Sequence, residues 1–396
     1  ETLLVKHPAT DVPLGWTPDG KRFLFASDRT GSIGAWMLSF ANGKAQGAPE
    51  LVRPEMGMLF PMAFTNDSSF FFGLRTGMQD VYSVTMDWAT NKPLAAPAAV
   101  SQQYMGANTS PDWSPDGKSL AWITRRGIMV GEMGQQSLSI HSFETGKTRE
   151  IKLKLKFFDR PRWSPDGRFV LLYATDQKSA NGLYRVDVKT GETTAISLRE
   201  MNANHQQATW AVDGKAILFQ QSDFTNKRTR LIAKDIDSGE EREIYSVNQI
   251  WGASHLAPSP DGEQIAFIVY DQAAKISTVK LVPYRGGEAR DLLVERHDPK
   301  DLTFFYGLAW MTDGRALLLT KGNSRNNEPN AELWRVPIAG GAIQKFTWPM
   351  ERVRDLRIHP DGKRLAFTSG NQTFEVWAME NLPPLSPARQ NRVSRR

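Results

Sequence analysis

A short phrase recurs eight times in this chain: an aromatic or aliphatic residue, a Pro-Asp-Gly-type turn, then an apolar run. The copies centre on Asp19, Asp67, Asp116, Asp166, Asp213, Asp261, Asp313 and Asp361, spaced 47 to 52 residues apart. A repeat of this length is one supersecondary unit that cannot bury its apolar face alone, so successive units have to stack. The turn follows from backbone chemistry. Pro presets φ, Asp bonds a downstream backbone N–H, and Gly takes the left-handed geometry that sends the chain back antiparallel.

Four strands fit into each unit. The turn is followed by an apolar strand such as Phe23-Leu24-Phe25 or Val170-Leu171-Leu172. A third strand carries the alternating pattern seen in Val81-Tyr82-Ser83-Val84, Leu183-Tyr184-Arg185-Val186 and Val376-Trp377-Ala378-Met379. A second turn and a fourth strand close the unit, as at Ser238-Gly239-Glu240 and Glu243-Ile244-Tyr245. Trp16, Trp113, Trp163, Trp210 and Trp310, three residues before their Asp, are assigned to the core between neighbouring sheets, where an indole buries a large area.

Four-stranded units at this period predict an all-β fold, an eight-bladed β-propeller of antiparallel blades filling residues 1–381 as a single domain. The eighth unit runs into Leu382-Pro383-Pro384, and Pro cannot serve a central ladder. Thr2–Val5 matches the fourth strands elsewhere and is expected to complete that last blade. Residues 382–396 form a basic, Pro-containing tail, poor in apolar side chains and expected to lack order.

The length of 396 residues exceeds the roughly 250–300 at which a single core stops growing, which fits a modular array. With 40% hydrophobic and 23% charged residues the chain is globular in composition, and no run reaches the roughly 18 apolar residues of a membrane-spanning helix. No Cys is present, which removes disulfides, thiolate metal sites and a Cys nucleophile and leaves the compartment open, with an extracytoplasmic one favoured. Arg389, Arg392, Arg395 and Arg396 account for most of the net charge of +6, so the body lacks the concentrated basic footprint of a nucleic-acid binder.

The Trp-Ser-Pro-Asp-Gly-Lys/Arg phrase at Trp113 and Trp163 resembles the TolB-like, or PD40 (WD40-like), propeller repeat, and the resemblance covers residues 1–381. The same repeat is found in the propellers preceding the hydrolase domain of dipeptidyl peptidase IV-like proteins, to which the count of eight is closer than to the six of TolB. Three copies depart from the pattern: Ser68 stands for Gly, Val212 for Pro and Pro258 for Trp. No Gly-x-Ser-x-Gly occurs, and peptidase chemistry in this chain is not expected, since a nucleophile elbow needs an α/β sheet.

Function in a propeller gathers where the loops leading into the innermost strands surround the channel. Those loops supply basic residues, Arg160, Arg162, Arg325, Arg352 and Arg354, whose planar forks suit carboxylate or phosphate, with Asp159, Glu351 and Asp355 as acidic neighbours. They also supply aromatics, Phe158, Trp251 and Tyr306 among them, and the imidazoles of His205 and His255. His359, beside a turn at the opposite end, reads as a surface residue. One reading is a non-catalytic module that binds a protein, a peptide or a small anionic ligand, as a sensory or scaffold part of a larger bacterial protein, without a cofactor. The other is a metal-assisted lyase or hydrolase acting on acidic saccharides, with metal held by His205 and His255; the resemblance extends to oligogalacturonate lyase propellers, but no metal-binding motif is present.

Overall fold

A computed structural model describes residues 3–382 apart from 10, 31–32, 55, 57, 77–78, 102–107, 131–132, 200–202, 249–254, 272, 298–302, 324–330, 349, 351, 371–372 and 381. The described residues form strands and turns with no helix. The strands run β1 (Asp11–Trp16), β2 (Arg22–Ser27), β3 (Gly34–Ala41), β4 (Lys44–Arg53), β5 (Met58–Phe64), β6 (Phe70–Thr76), β7 (Asp80–Asp87), β8 (Lys92–Pro93) and β9 (Ala98–Ala99). Next come β10 (Asn108–Trp113), β11 (Ser119–Val130), β12 (Met133–Ser142), β13 (Lys147–Ile151), β14 (Leu155–Trp163), β15 (Phe169–Asp176), β16 (Asn181–Asp187) and β17 (Thr193–Leu198). They continue as β18 (Ala203–Trp210), β19 (Ala216–Asp223), β20 (Arg228–Asp235), β21 (Glu241–Val247), β22 (Leu256–Pro258), β23 (Gln264–Asp271), β24 (Ile276–Pro283) and β25 (Arg290–Arg296). The last are β26 (Thr303–Trp310), β27 (Ala316–Asn323), β28 (Ala331–Pro337), β29 (Gln344–Trp348), β30 (Arg354–Ile358), β31 (Arg364–Ser369) and β32 (Thr373–Met379).

Every one of the eight turns makes the antiparallel hairpin its chemistry calls for. In five of them the residue two before Asp is Ser or Thr, whose hydroxyl donates to the Asp carboxylate: Thr17 to Asp19 at 2.6 Å, Thr65 to Asp67, Ser114 to Asp116 at 2.6 Å, Ser164 to Asp166 and Ser259 to Asp261, both at 2.5 Å. The same carboxylates accept from the backbone N–H two residues on, as at Lys118 and Glu263. Six sheets consist of four consecutive strands: β1–β4, β10–β13, β14–β17, β18–β21, β22–β25 and β26–β29.

The second and eighth repeats trade their third strands. β6 is completed by β32, giving the sheet β5-β6-β32, while β31 is completed by β7, which is flanked in turn by β8 and β9. This corrects the expected closure. The edge of β31 meant for the repeat's own third strand is occupied by Val81–Thr85, and Leu3–Val5 form no ladder; Leu4 and Val5 pack instead against Phe25, Leu38 and Phe40. Thr2 lies outside the described residues.

The chain divides into two compact units, one comprising Glu1–Gly77, Arg126–Gln135 and Gln372–Arg396, the other Met78–Arg125 and Gln136–Asn371. In the first unit β1 lies against β5, and Leu24, Met37, Phe70, Phe72 and Met379 form a core that also takes in Leu382, the first residue of the expected tail. In the second, the innermost strands β10, β14, β18, β22, β26 and β30 each lie against the next, and β30 returns to β10. Within this unit the ring is six-membered rather than eight-membered, and its closing blade draws β30 and β31 from one end of the segment and β7, β8 and β9 from the other. The turns repeat the circuit: a Cβ on Gly167 would touch Pro115, on Gly214 Pro165, on Gly262 Val212, on Gly362 Thr312, and on Gly117 the ring of His359.

Trp113, Trp210 and Trp310 are buried, Trp163 is half-buried against the core, and the indoles of Trp210 and Trp310 donate to the carbonyls of Arg162 and Ala257 in the preceding blade, at 3.0 and 2.8 Å. Trp16 departs from its expected place: it is 43% exposed, packed edge-on to Phe40 at 4.7 Å. His359 departs the other way. It is buried, T-shaped to Trp113 at 4.6 Å, with Nε2 2.8 Å from the carbonyl of Gly117, so it joins the last turn of the ring to the first.

Candidate functional site

Five of the six innermost strands of the ring share a defect. Register slips between Thr109 and Asp112 in β10, between Asp159 and Arg162 in β14, between Gln206 and Thr209 in β18, between Phe305 and Gly307 in β26 and between Arg354 and Arg357 in β30. In four of these the residue three before the turn's leading residue takes a left-handed backbone: Ser110 at φ 59°, Arg160 at 55°, Gln207 at 46° and Asp355 at 53°. Bulges re-aim side chains and concentrate beside functional sites, and each such residue costs on the order of 1 kcal/mol or more. His255 stands at the same count before Pro258. The bulges therefore set Ser110, Arg160, Gln207 and Asp355 at one level of the ring, and His255 holds the same place in its own repeat by count alone.

Charge converges there. Arg160, Arg162, Arg357 and Asp355 all act on His255, although β30 and β22 are separated by β26. Strands that are not neighbours thus bring their charged groups within electrostatic range of one another across the ring. Asp112 of β10 receives Arg357 Nε on Oδ1 at 3.0 Å and the backbone N–H of Trp163 on Oδ2 at 2.8 Å, tying its blade to both neighbours. Asp159 accepts from Arg125 Nη2 at 3.2 Å, from Ser110 Oγ at 3.2 Å and from its neighbour's backbone N–H at 2.9 Å. Asp355 accepts from Thr368 Oγ1 at 3.1 Å, and that oxygen accepts from the backbone N–H of Ser110 at 2.9 Å.

The remaining guanidiniums are left over. Among the described residues, Arg160, Arg162 and Arg354 have no carboxylate oxygen within ion-pairing distance. Arg162 is only 8% exposed and spends Nη1 on the carbonyl of Pro161 at 2.7 Å. Nε and Nη2 of Arg354 are buried without a hydrogen-bond partner among the described residues. Burial, then the neighbouring Arg357, draws the Arg162 guanidinium down to about 9, still cationic at neutral pH. Burial pushes Asp112 above its ordinary value against the pull of Arg162 and Arg357. It also works against Asp355, but Arg354, Arg160 and Arg162 together outweigh it and hold that carboxyl low and ionised. For His255 burial and the guanidiniums act together, and the imidazole is neutral.

Of the expected site residues, Arg160, Arg162, His255 and Arg354 are brought together. Arg352 lies two residues before β30, half-buried, in the loop leading to the site. The side chains of His205 and Tyr306, and Trp251 and Arg325 altogether, lie outside the described residues. Phe158 is no platform: it is 1% exposed, in the core with Val170 and Leu172. Asp112 and Arg357 escaped the sequence reading. The signal was present, because both hold the place immediately before the turn's leading residue that Arg162 holds in its own blade. A cation is poorly served here, since guanidiniums surround the one described imidazole, and among the described residues no group of three His, Asp or Glu could hold a metal.

The repeats, the four-stranded antiparallel sheets and the closed ring define a TolB-like β-propeller fold. A solved structure described as TolB, from Agrobacterium tumefaciens, superposes with a TM-score of 0.56 at 16% identity, covering 75% of this chain and 99% of that one. Among curated proteins the chain is 24% identical over 212 residues to dipeptidyl-peptidase 5 of Porphyromonas gingivalis, and 31% identical over 163 residues to the uncharacterized peptidase YuxL of Bacillus subtilis. The matches take in 53% and 40% of this chain but 23% and 21% of those proteins, so the chain spans less than a quarter of either relative. No protein-family model matches.

Proposed function

We propose that the chain is a binding module that takes an anionic group of a protein, peptide or small-molecule ligand into the channel of its six-membered ring, as the recognition part of a larger protein. The observation that carries this reading is the surplus of guanidinium over carboxylate among the described residues of the site. Arg357 with Asp112 and Arg125 with Asp159 are matched pairs, whereas Arg160, Arg162 and Arg354 share Asp355 without contacting it. Arg162, held by packing and by the carbonyl of the preceding Pro161, is a preorganised donor, so a ligand meets little ordering cost there. Backbone strain repeated at one level of four blades supports the same place.

Isothermal titration with an acidic octapeptide and with its lysine counterpart tests the reading. The acidic peptide should bind, weaken steeply with added salt, and lose about tenfold or more in affinity in Arg162→Gln, in the range for one charged hydrogen-bonding partner. Equal binding of both peptides, untouched by the substitution, would refute it.

A further inference from the structure

Deepening that reading, and resting on it, we infer that the group the channel is built to receive is a doubly charged tetrahedral oxyanion, a phosphate, rather than a single carboxylate. The charge count leads there. With the two matched pairs set aside, the described residues leave three guanidiniums, from Arg160, Arg162 and Arg354, within electrostatic range of one carboxylate, Asp355, and none of them closes an ion pair with it. His255 is uncharged and contributes a donor and an acceptor only. A monoanion would leave one buried guanidinium uncompensated, and an unpaired charge out of water is penalised heavily. A dianion brings the count to neutrality.

Geometry points the same way. Arg160 and Arg162 reach in from β14 and Arg354 from β30, the two strands that flank β10 on opposite sides. Donors arriving from both sides suit an acceptor with oxygens in several directions better than a flat carboxylate. Arg354 supplies two buried nitrogens that nothing else among the described residues occupies. The charged groups facing the site are Asp112, Arg125, Asp159, Arg160, Arg162, His255, Arg354, Asp355 and Arg357.

The experiment is calorimetric titration of the whole chain with glycerol phosphate, inorganic phosphate, sulfate and acetate at pH 7.5 and pH 5.0. A phosphate monoester loses its second charge below about pH 6, so its affinity should fall about tenfold at pH 5.0, while sulfate, a dianion at both pH values, should change less than about twofold. Sulfate also reports any change in the protein's own groups. Both Arg162→Gln and the less buried Arg354→Gln should weaken the dianions about tenfold, and the second variant serves if the first fails to fold. Tighter binding of inorganic phosphate than of the monoester assigns the free ion, and the reverse assigns an esterified phosphate. Acetate binding as tightly as the monoester, or a monoester affinity as flat with pH as that of sulfate, overturns the inference and leaves the anion-binding reading standing. If none of the four anions binds, both fall.

Discussion

At the level of single residues, the turn glycines separate two costs that are usually mixed. Gly117 and Gly314 have the same backbone, φ +70° and +69°, but a Cβ on Gly117 would sit 2.4 Å from Nε2 of His359, whereas one on Gly314 would meet nothing within 4 Å. Gly314→Ala should cost only the left-handed strain, about 1 kcal/mol. Gly117→Ala should cost at least about twice that, because His359 is buried between Trp113 and the first turn and has nowhere to retreat. Chemical denaturation of the two variants measures the difference directly. Equal losses would mean that His359 does not brace the junction between the last blade and the first.

At the level of strands, what the sequence could and could not say divides along one line. Each hairpin is local: its turn, its apolar second strand and its leading Trp lie within about a dozen residues, and all eight hairpins form where the repeats place them. The partner of a hairpin's outer edge is not local. Val81-Tyr82-Ser83-Val84 and Val376-Trp377-Ala378-Met379 carry the same alternation, and nothing in either says which second strand it will join. The channel residues show the same limit, since Arg162 and His255 stood out by type and place while Asp112 and Arg357 were visible only to a count from the turn. The exchange can be tested by cross-linking. The chain has no Cys of its own, and Ser83 and Ala366 are register partners across β7 and β31. The double substitution Ser83→Cys and Ala366→Cys should oxidise to an intramolecular disulfide in the folded state, while Ala366→Cys with Ala378→Cys, the pair that the sequential order would place face to face, should not. The opposite result would restore the sequential strand order.

For the molecule as a whole, the repeated turns set a common acid limit. The hydroxyls of Thr17, Thr65, Ser114 and Ser259, followed by backbone N–H groups, hold Asp19, Asp67, Asp116 and Asp261 below their ordinary value. Asp361 lies at about 2, where burial is outweighed by the N–H groups of Lys363 and Arg364 and by the Arg364 guanidinium. A carboxylate depressed in the folded state stabilises it fully above the unfolded value near 3.8, and that contribution is lost as pH falls toward the folded value. The fold should therefore be insensitive to these groups above about pH 5 and lose stability steeply below 3.8. Circular dichroism against pH should show the acid midpoint of Ser114→Ala with Ser259→Ala displaced upward, and an unchanged midpoint would remove the hydroxyls from the account.

The exchanged strands also bear on how such a chain is made. Trp88, at the end of β7, donates its indole N–H to the carbonyl of Gly362 across 274 residues of sequence. During synthesis β7 emerges well before its partner β31, so five blades are translated while one ribbon edge waits unpaired. Such an edge is a template for association with other chains. The nascent polypeptide thus has a long window in which crowding, temperature or a shortage of chaperones decides between a closed ring and an aggregate.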